Sequence, residues 1–182
     1  HGHHHTHAAF AYFTSEYNNS AILTVDGVGE WETTTISLGS GRDIKKLVTH
    51  ELLGKACAEL MNWQGSRLLQ DNVLWKPPGG KTLGYHQDAA YDDWIIPQTM
   101  ASCWMTLDDV SKENGTIEYV VGSHKWGLNP PRGEFHSPKD YTKELVKFAE
   151  SNNKDVTIKY IEVPAGGAVF HHGETWHGSG YN

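Results

Sequence analysis

The spacing of apolar residues changes along the chain from one typical of strands to one typical of helices, and then back. Residues 21–25 form a short apolar run closed by the turn pair Asp26-Gly27, and residues 31–38 are rich in Thr and apolar side chains, so together they predict a β-hairpin. Gly39-Ser40-Gly41 then predicts a linker. From Asp43 to Leu60, apolar residues recur about every four positions, which predicts an amphipathic helix.

Beyond Gly65 the pattern returns to short β-type runs. These runs are separated by Pro, Gly and Asn-Gly turn signals, and they lie at residues 69–75, 99–107, 116–121, 156–163 and 168–171. One helix interrupts them, with Ser137 as its predicted cap and Pro138 in its first turn. The series of short strands predicts a mainly β fold, a jelly roll or a related β-sandwich barrel with flanking helices, preceded by the N-terminal hairpin.

Composition and charge exclude several classes of function. The 182 residues correspond to about one domain, and apolar residues make up 38%, which is enough for a packed core. The formal net charge of −7 argues against nucleic acids and anionic membranes as partners, because both attract basic proteins. The apolar runs fall short of the about 20 residues that span a bilayer. Two cysteines, Cys57 and Cys103, do not make a disulfide scaffold, so we expect a cytoplasmic location.

The candidate chemistry lies in the segment Tyr85-His86-Gln87-Asp88. In a strand, side chains two positions apart point to the same side, so His86 and Asp88 could bind one metal ion. A further imidazole, His177, follows soon after the β-type run at 168–171. Two imidazoles and one carboxylate form the triad typical of non-haem Fe(II) oxygenases. A His-x-Asp motif is also common as a hydrogen-bonded pair at a turn, and the motif by itself leaves both interpretations open.

The blocks around this motif resemble the phytanoyl-CoA dioxygenase family of Fe(II)/2-oxoglutarate oxygenases. The resemblance runs from about residue 68 to residue 182, through Lys76-Pro77-Pro78, His86-Gln87-Asp88, Cys103 to Asp109, Glu113 to Thr116, Val121 to His124, Phe170-His171 and His177 to Asn182. It implies a cupin-like double-stranded β-helix with Fe(II) held by His86, Asp88 and His177. It also implies a hydroxylase that uses O₂ and 2-oxoglutarate on a C–H bond of a small molecule, with succinate and CO₂ as coproducts.

The same resemblance assigns two positions to the cosubstrate. Trp104 matches a residue that lines the 2-oxoglutarate pocket, and Ser179 matches a hydroxyl close to the cosubstrate, while a core aromatic and a turn serine are the alternatives. The family also uses an Arg roughly ten residues beyond the second His, since its planar fork suits a carboxylate. The sequence ends at Asn182, before that position, so we expect the dioxygenase domain to be truncated there.

Three further histidines have weaker signals. His124 belongs to a Gly-Ser-His turn and is expected to be structural. His171 and His172 could reach the pocket, although hydrogen bonding in the core or at the surface is the expected role. Tyr85, Tyr91 and Trp94 lie near the His-x-Asp motif and could line a substrate pocket or belong to the core.

The first 40 residues resemble a different family, the nucleotide-dependent O-carbamoyltransferases. Residues 3–11 fit the pattern H-H-x-x-H-A-A-x-A, and an apolar strand with D-G-x-G-E follows. The resemblance implies a second metal set at His3, His7 and Asp26; a His-rich leader with a fortuitous hairpin is the alternative. We therefore expect a carbamoyltransferase-like fragment or leader over 1–40 and the dioxygenase domain over 41–182.

Two other functions remain open from the sequence. One is a carbamoyltransferase-derived biosynthetic enzyme that uses the N-terminal histidine cluster. The other is an inactive metal-binding module with a cupin-like fold.

Overall fold

The chain forms two compact units, His1–Leu74 and Trp75–Asn182. The computed structural model describes residues 3–25, 34–47, 49–72, 74–130 and 136–182. Within these ranges, no helix has the length and apolar character needed to cross a membrane. The domain boundary predicted near residue 40 lies inside the first unit, since residues 41–74 group with residues 1–40.

The first unit contains a three-stranded antiparallel sheet. Along the sequence, one helix precedes this sheet and another follows it. Its elements are α1 (His3–Phe13), β1 (Asn19–Val25), β2 (Thr34–Ser40), β3 (Asp43–Lys46) and α2 (Glu51–Met61). The sheet order is β1-β2-β3. The predicted hairpin is confirmed, with β1 pairing to β2 along its whole length, while its predicted turn Asp26-Gly27 lies outside the described residues.

The linker predicted at residues 39–41 is wrong. Gly39 pairs with Ile44, and Ser40 pairs with Asp43, so this segment is the end of β2 and the start of a tight turn into β3. Gly41 has a φ of 59°, in the left-handed region that favours glycine, which explains its position in the turn. Glycine and serine therefore mark a hairpin here rather than a flexible connection.

The helix predicted from Asp43 begins only at Glu51. Residues Asp43–Lys46 instead satisfy their backbone by pairing with β2, and the amide of Leu47 extends the ladder by donating to the carbonyl of Ile36 at 2.9 Å. The ring Nδ1 of His50 accepts a hydrogen bond from the amide of Leu52 and caps the helix. Pairing within the sheet has overridden an apolar spacing that fits a helix.

A small apolar cluster joins α1 to the sheet. His4, Ala8 and Tyr12 follow at intervals of four along α1 and are buried, and Ala8 and Tyr12 pack with Ile22 of β1. A Cβ added at Gly39 would lie 2.5 Å from the ring of Tyr12, so glycine is required where that ring crosses β2. The packing of α1 on β2 thus requires a residue without a side chain at position 39.

The second unit is mainly β and is built from two antiparallel sheets. Its elements are β4 (Leu83–His86), β5 (Ala101–Met105), β6 (Ile117–Val120), α3 (Lys143–Ser151), β7 (Ile158–Tyr160), β8 (Ala168–His172) and β9 (His177–Ser179). One sheet has the order β4-β9-β6-β7, and the other pairs β5 with β8. Short 3-10 helices span Asp88–Tyr91, Lys112–Asn114 and Ser123–Lys125.

The sequence predicted most of these strands but not all. The runs at 99–107, 116–121 and 156–163 contain β5, β6 and β7, and the run at 168–171 covers β8 except for its last residue, whereas the described residues within 69–75 form no strand. The helix predicted at Ser137-Pro138 begins at Lys143 instead. Asp140 accepts hydrogen bonds from the amide and hydroxyl of Thr142, at 3.0 and 2.7 Å, and this turn delays the helix.

The core of the second unit lies beneath α3. It consists of the buried residues Tyr85, Val120, Leu145 and Trp176, with Trp126, Tyr141, Phe148 and Ile158 packed around them. Tyr85, considered above as a possible pocket wall, therefore belongs to the core. Its hydroxyl donates to the buried carboxylate of Glu118 at 2.6 Å. Burial, and then this hydrogen bond, raises the pKa of Tyr85.

Candidate metal centre

The pairing of β4 with β9 brings two histidines together. His86 stands opposite His177 in the antiparallel ladder, and their ring centroids lie 4.2 Å apart. The register shifts between Leu83 and His86, as at a β-bulge, which changes how the side chains of β4 point. The two imidazoles share one face because residues opposite each other in a ladder project to the same side.

Asp88 is held next to these rings by the residue that precedes it. Gln87 is buried, and its side-chain amide donates to the carbonyls of Gly127 and Glu174 at 2.9 and 2.7 Å. Its oxygen accepts from the amide of Asn129 at 2.8 Å. These three hydrogen bonds fix the backbone between the two ends of the His-x-Asp motif. Asp88 then begins a 3-10 helix directly after β4.

The three predicted donors converge. Oδ1 of Asp88 lies 3.4 Å from Nε2 of His86 and 3.4 Å from Nε2 of His177. Among the described residues, these three form a group whose candidate ligand atoms all lie within 4.8 Å of one another. The structure therefore brings together the residues that the sequence proposed as a metal triad.

Backbone carbonyls orient both imidazoles. Nδ1 of His86 lies 2.8 Å from the carbonyl of Gly84, and Nδ1 of His177 lies 2.9 Å from the carbonyl of Thr175. A carbonyl can only accept, so each Nδ1 carries the proton, and a neutral ring then presents a lone pair at Nε2. Burial lowers the pKa of His86, which favours this neutral form. Two lone pairs and a carboxylate oxygen facing one another suit a divalent cation.

The other oxygen of Asp88 is engaged by the second sheet. Oδ2 accepts from the hydroxyl of Ser102 on β5 at 2.5 Å and from Nε2 of His171 on β8 at 2.9 Å. Nδ1 of His171 lies 2.8 Å from the hydroxyl of Tyr119 on β6. Burial by itself raises the pKa of Asp88, but the hydrogen bond from His171, together with the neighbouring imidazoles of His177 and His86, outweighs it and holds the pKa well below its usual range.

His171, Ser102 and Tyr119 were not predicted as part of this centre. The sequence favoured a core or surface role for His171, and it gave no signal for the other two. Ser102 pairs with His171 in the β5–β8 ladder, so both project to one side. A strand over 168–171 was predicted, but alternation alone does not tell which face of a strand meets the metal triad.

The two residues assigned to the cosubstrate lie on the same strands as site residues. Trp104 is two positions from Ser102 on β5 and shares its face, and Ser179 is two positions from His177 on β9. The hydroxyl of Ser179 donates to the carbonyl of Gly115 at 2.6 Å and accepts from the ammonium group of Lys76 at 2.5 Å. The hydroxyl of Ser179 is thus held by Gly115 and Lys76.

Lys76, from the Lys-Pro-Pro block, ties distant parts of the second unit together. Besides Ser179, its ammonium group donates to the carbonyl of Gly180. Burial lowers the pKa of Lys76, and the negative charge of Glu118 acts in the opposite direction. The side-chain amide of Asn182 donates to the carbonyls of Lys76 and Pro77, both at 2.9 Å. These contacts hold the segment after β9 against the Lys-Pro-Pro block.

The second predicted metal set is not assembled by the described residues. His7 is exposed on α1, while Asp26 and the side chain of His3 lie outside the described part of the chain. His4 faces the sheet instead, with Nδ1 2.9 Å from the hydroxyl of Thr24. The N-terminal set therefore stays a prediction.

Aromatic side chains follow Asp88 at the edge of the centre. The ring of Tyr91 lies 6.1 Å from that of His86, edge-on, and Tyr91 is partly exposed. Burial and the charge of Asp88 raise the pKa of Tyr91. Trp94 is exposed three positions later. The ring of Tyr91 thus lies at the edge of the triad.

Comparisons with known proteins identify the family of the chain. A family model described as Phytanoyl-CoA dioxygenase (PhyH) matches residues 5–182. Phytanoyl-CoA dioxygenase domain-containing protein 1 of Danio rerio is 31% identical over 140 residues, which cover 75% of this chain and 47% of that protein. A probable alpha-ketoglutarate-dependent hypophosphite dioxygenase of Stutzerimonas stutzeri is 28% identical over 127 residues, covering 64% and 40%. The chain spans less than half the length of these relatives.

A solved structure shares the fold. AviO1 from Streptomyces viridochromogenes Tue57 superposes with a TM-score of 0.51 at 20% identity, over 98% of this chain and 73% of that one. The family match includes the opening segment from residue 5 onward. The resemblance of residues 1–40 to carbamoyltransferases is not borne out by these comparisons.

Proposed function

The chain belongs to the phytanoyl-CoA dioxygenase family, and from that membership we propose that it is an Fe(II)- and 2-oxoglutarate-dependent oxygenase. It hydroxylates a C–H bond of a small-molecule substrate and forms succinate and CO₂ as coproducts. The observation that supports this most directly is the position of Asp88 Oδ1, 3.4 Å from Nε2 of both His86 and His177. The name of the Stutzerimonas relative, an alpha-ketoglutarate-dependent dioxygenase, supports the choice of cosubstrate.

His86, Asp88 and His177 would hold the iron. The donor set fits, because two neutral imidazoles and one carboxylate are the ligands that select non-haem Fe(II) and leave positions for other ligands. When bound, Fe(II) supplies the redox chemistry that activates O₂ while 2-oxoglutarate is oxidised to succinate and CO₂. The chain itself provides the negative charge of Asp88 and two imidazoles whose orientation is fixed by backbone carbonyls.

The two sheets bury the imidazoles of the triad. His86 and His177 are 8% and 5% exposed, and they lie on the sheet β4-β9-β6-β7, while Ser102 and His171 reach Asp88 from β5 and β8. A site enclosed between two antiparallel sheets is the arrangement expected of a double-stranded β-helix, and we propose that fold for the second unit.

The cosubstrate and the substrate would approach from different elements. We assign Trp104 and Ser179 to the 2-oxoglutarate side, because each shares a strand face with a residue of the centre. Tyr91 and Trp94 would contact the substrate, because they follow Asp88 and are exposed to solvent. Aromatic surface of this kind suits a substrate with an apolar portion.

The proposed function is tested with the full chain, purified under anaerobic conditions. Calorimetry should show one Fe(II) ion bound per chain, and addition of 2-oxoglutarate should produce a visible charge-transfer absorption. Exposure to O₂ should then yield succinate. A His177→Ala variant should lose all three responses, and the exposed His124→Ala should keep them. A folded wild-type chain that binds no Fe(II) would contradict the proposal.

A further inference from the structure

The two oxygens of Asp88 have different surroundings. Oδ1 faces the two imidazoles of the triad at 3.4 Å. Oδ2 accepts hydrogen bonds from Ser102 and His171, at 2.5 and 2.9 Å. Hydrogen bonds to a charged oxygen are among the strongest in proteins, so these two donors compete directly with any metal for Oδ2. Oδ1 is therefore available to a metal ion, whereas Oδ2 is engaged by hydrogen bonds from the protein.

The donor on His171 is fixed by a third residue. A carboxylate can only accept, so the proton of His171 lies on Nε2. Its Nδ1 then accepts from the hydroxyl of Tyr119, 2.8 Å away. Tyr119 pairs with His177 across β6 and β9, which ties the chain of hydrogen bonds back to the triad. The hydrogen bonds therefore run in one direction: Tyr119 donates to His171, and His171 donates to Asp88.

We propose that His171, oriented by Tyr119, is a positioning residue that keeps Asp88 a monodentate metal ligand. Carboxylates bind metals through one or both oxygens, and a bidentate Asp88 would occupy a position that the cosubstrate or O₂ requires. With Oδ2 held by His171, only Oδ1 is available to the metal. This inference rests on the proposed function in one respect, since it requires a metal at His86, Asp88 and His177.

If His171 had a purely structural role, other side chains could replace it at this position. The side chain of His171 is 6% exposed, and an apolar residue of similar size would fill that volume at a lower desolvation cost. The neighbouring His172 offers a matched control. It projects to the opposite side of β8, where its Nδ1 accepts from the amide of Glu174 at 3.1 Å and its ring lies 5.9 Å from that of His124.

The test uses Co(II) alone as the probe, added to the full apo chain, with affinity measured by calorimetry and coordination by visible absorption. His171→Leu should weaken Co(II) binding about 10- to 100-fold, the range typical of lost hydrogen bonds to metal ligands, and should alter the absorption bands. His171→Gln should recover part of the affinity, because its amide can still donate to Asp88. Tyr119→Phe should shift the spectrum in the same direction by less, and His172→Leu should leave both readouts unchanged.

The outcomes separate this inference from the proposed function. If the wild-type chain binds no Co(II), the proposed function fails and the inference fails with it. If the wild type binds but His171→Leu has the same affinity and spectrum, the inference is overturned and the proposed function stands. If circular dichroism shows that His171→Leu is not folded, Tyr119→Phe is the deciding variant. Wild-type Co(II) affinity and absorption in Tyr119→Phe would then overturn the inference.

Discussion

His86 on β4 and His177 on β9 face each other across an antiparallel ladder, with ring centroids 4.2 Å apart. Each ring donates from Nδ1 to a carbonyl two residues before it in sequence. The same local device thus sets both ring orientations, and only the register of the two strands sets their separation. The position of the third donor, Asp88, follows from the hydrogen bonds of Gln87.

Asp88→Ala should abolish metal binding and 2-oxoglutarate turnover while leaving the fold largely intact. The charged ligand is lost, whereas the core of the second unit is formed by other residues. Calorimetry with Fe(II) and a succinate assay would measure the loss, with thermal unfolding of the apo chain as the check on folding. Asp93→Ala, an exposed carboxylate five positions later, is the control and should bind Fe(II) as the wild type does. Unchanged succinate formation by Asp88→Ala would show that Asp88 is not a ligand.

Gly178→Ala should destabilise the second unit by about 1–3 kcal/mol and weaken metal binding. A Cβ at Gly178 would lie 3.0 Å from the ring of Tyr85 and 3.1 Å from the carbonyl of Leu83, so the tight packing between β9 and β4 must give, next to His177. Urea unfolding and Co(II) titration would measure the two effects. Gly65→Ala, where a Cβ meets nothing within 4 Å, should change the free energy of unfolding by less than about 0.5 kcal/mol.

Leu145→Ala should lower the free energy of unfolding by about 2–5 kcal/mol, because it leaves a cavity in the core beneath α3. The side chain of Leu145 is 1% exposed and packs with Tyr85, Val120 and Trp176. Val146→Ala on the same helix is the control, since Val146 is 44% exposed, and it should cost less than about 0.5 kcal/mol. Equal losses in the two variants would mean that α3 does not cover the core as described.

Stability should fall as the pH rises above about 10, the pKa of tyrosine in an unfolded chain. Burial, and then the charge of Glu118, raises the pKa of Tyr141 to about 12, and burial raises that of Tyr85 as well. Above pH 10 the unfolded chain therefore loses protons that the folded chain keeps, so the free energy of unfolding declines with pH. Urea unfolding between about pH 9 and pH 12 would measure the decline, and Tyr85→Phe should make it less steep.

Removal of the first 40 residues should expose the edge of β3, because β2, Thr34–Ser40, is its partner in the sheet. A chain that begins at Arg42 is therefore expected to aggregate, as judged by size-exclusion chromatography. A chain that begins at Trp75, the start of the second unit, should retain Co(II) binding at His86, Asp88 and His177. Loss of Co(II) binding from a folded chain of this length would mean that the first unit is required for the metal centre.

The metal triad could be predicted from sequence because the chemistry of its side chains already indicates a metal site. A His-x-Asp pair and a later His are visible as residue types, whatever strands hold them. Strand β9, which carries His177, was not predicted, because its three residues include Gly178 and offer no apolar alternation. The donors were therefore identified without the ladder that brings them together.

The remaining residues of the centre depend on tertiary pairing. Ser102 and His171 meet Asp88 together only because β5 and β8 pair in one register, and a shift of either strand by one residue would turn its side chain away. Similarly, the apolar spacing after Asp43 fits a helix, yet pairing with β2 makes the first four residues a strand. In both cases hydrogen bonding between strands decided between conformations that the local sequence allows.

Strand β9 is hydrogen-bonded on both sides, to β4 along one edge and to β6 along the other. Since β4 and β9 are distant in sequence, their pairing closes a long loop, and loop closure of this kind costs entropy and slows folding. The triad cannot exist before β9 enters between its two neighbours, so a metal ion binds only chains that have completed this step and stabilises them by mass action. The rate of metal uptake in a refolding experiment would consequently follow the insertion of β9, which makes the metal centre a kinetic marker for one identified folding event.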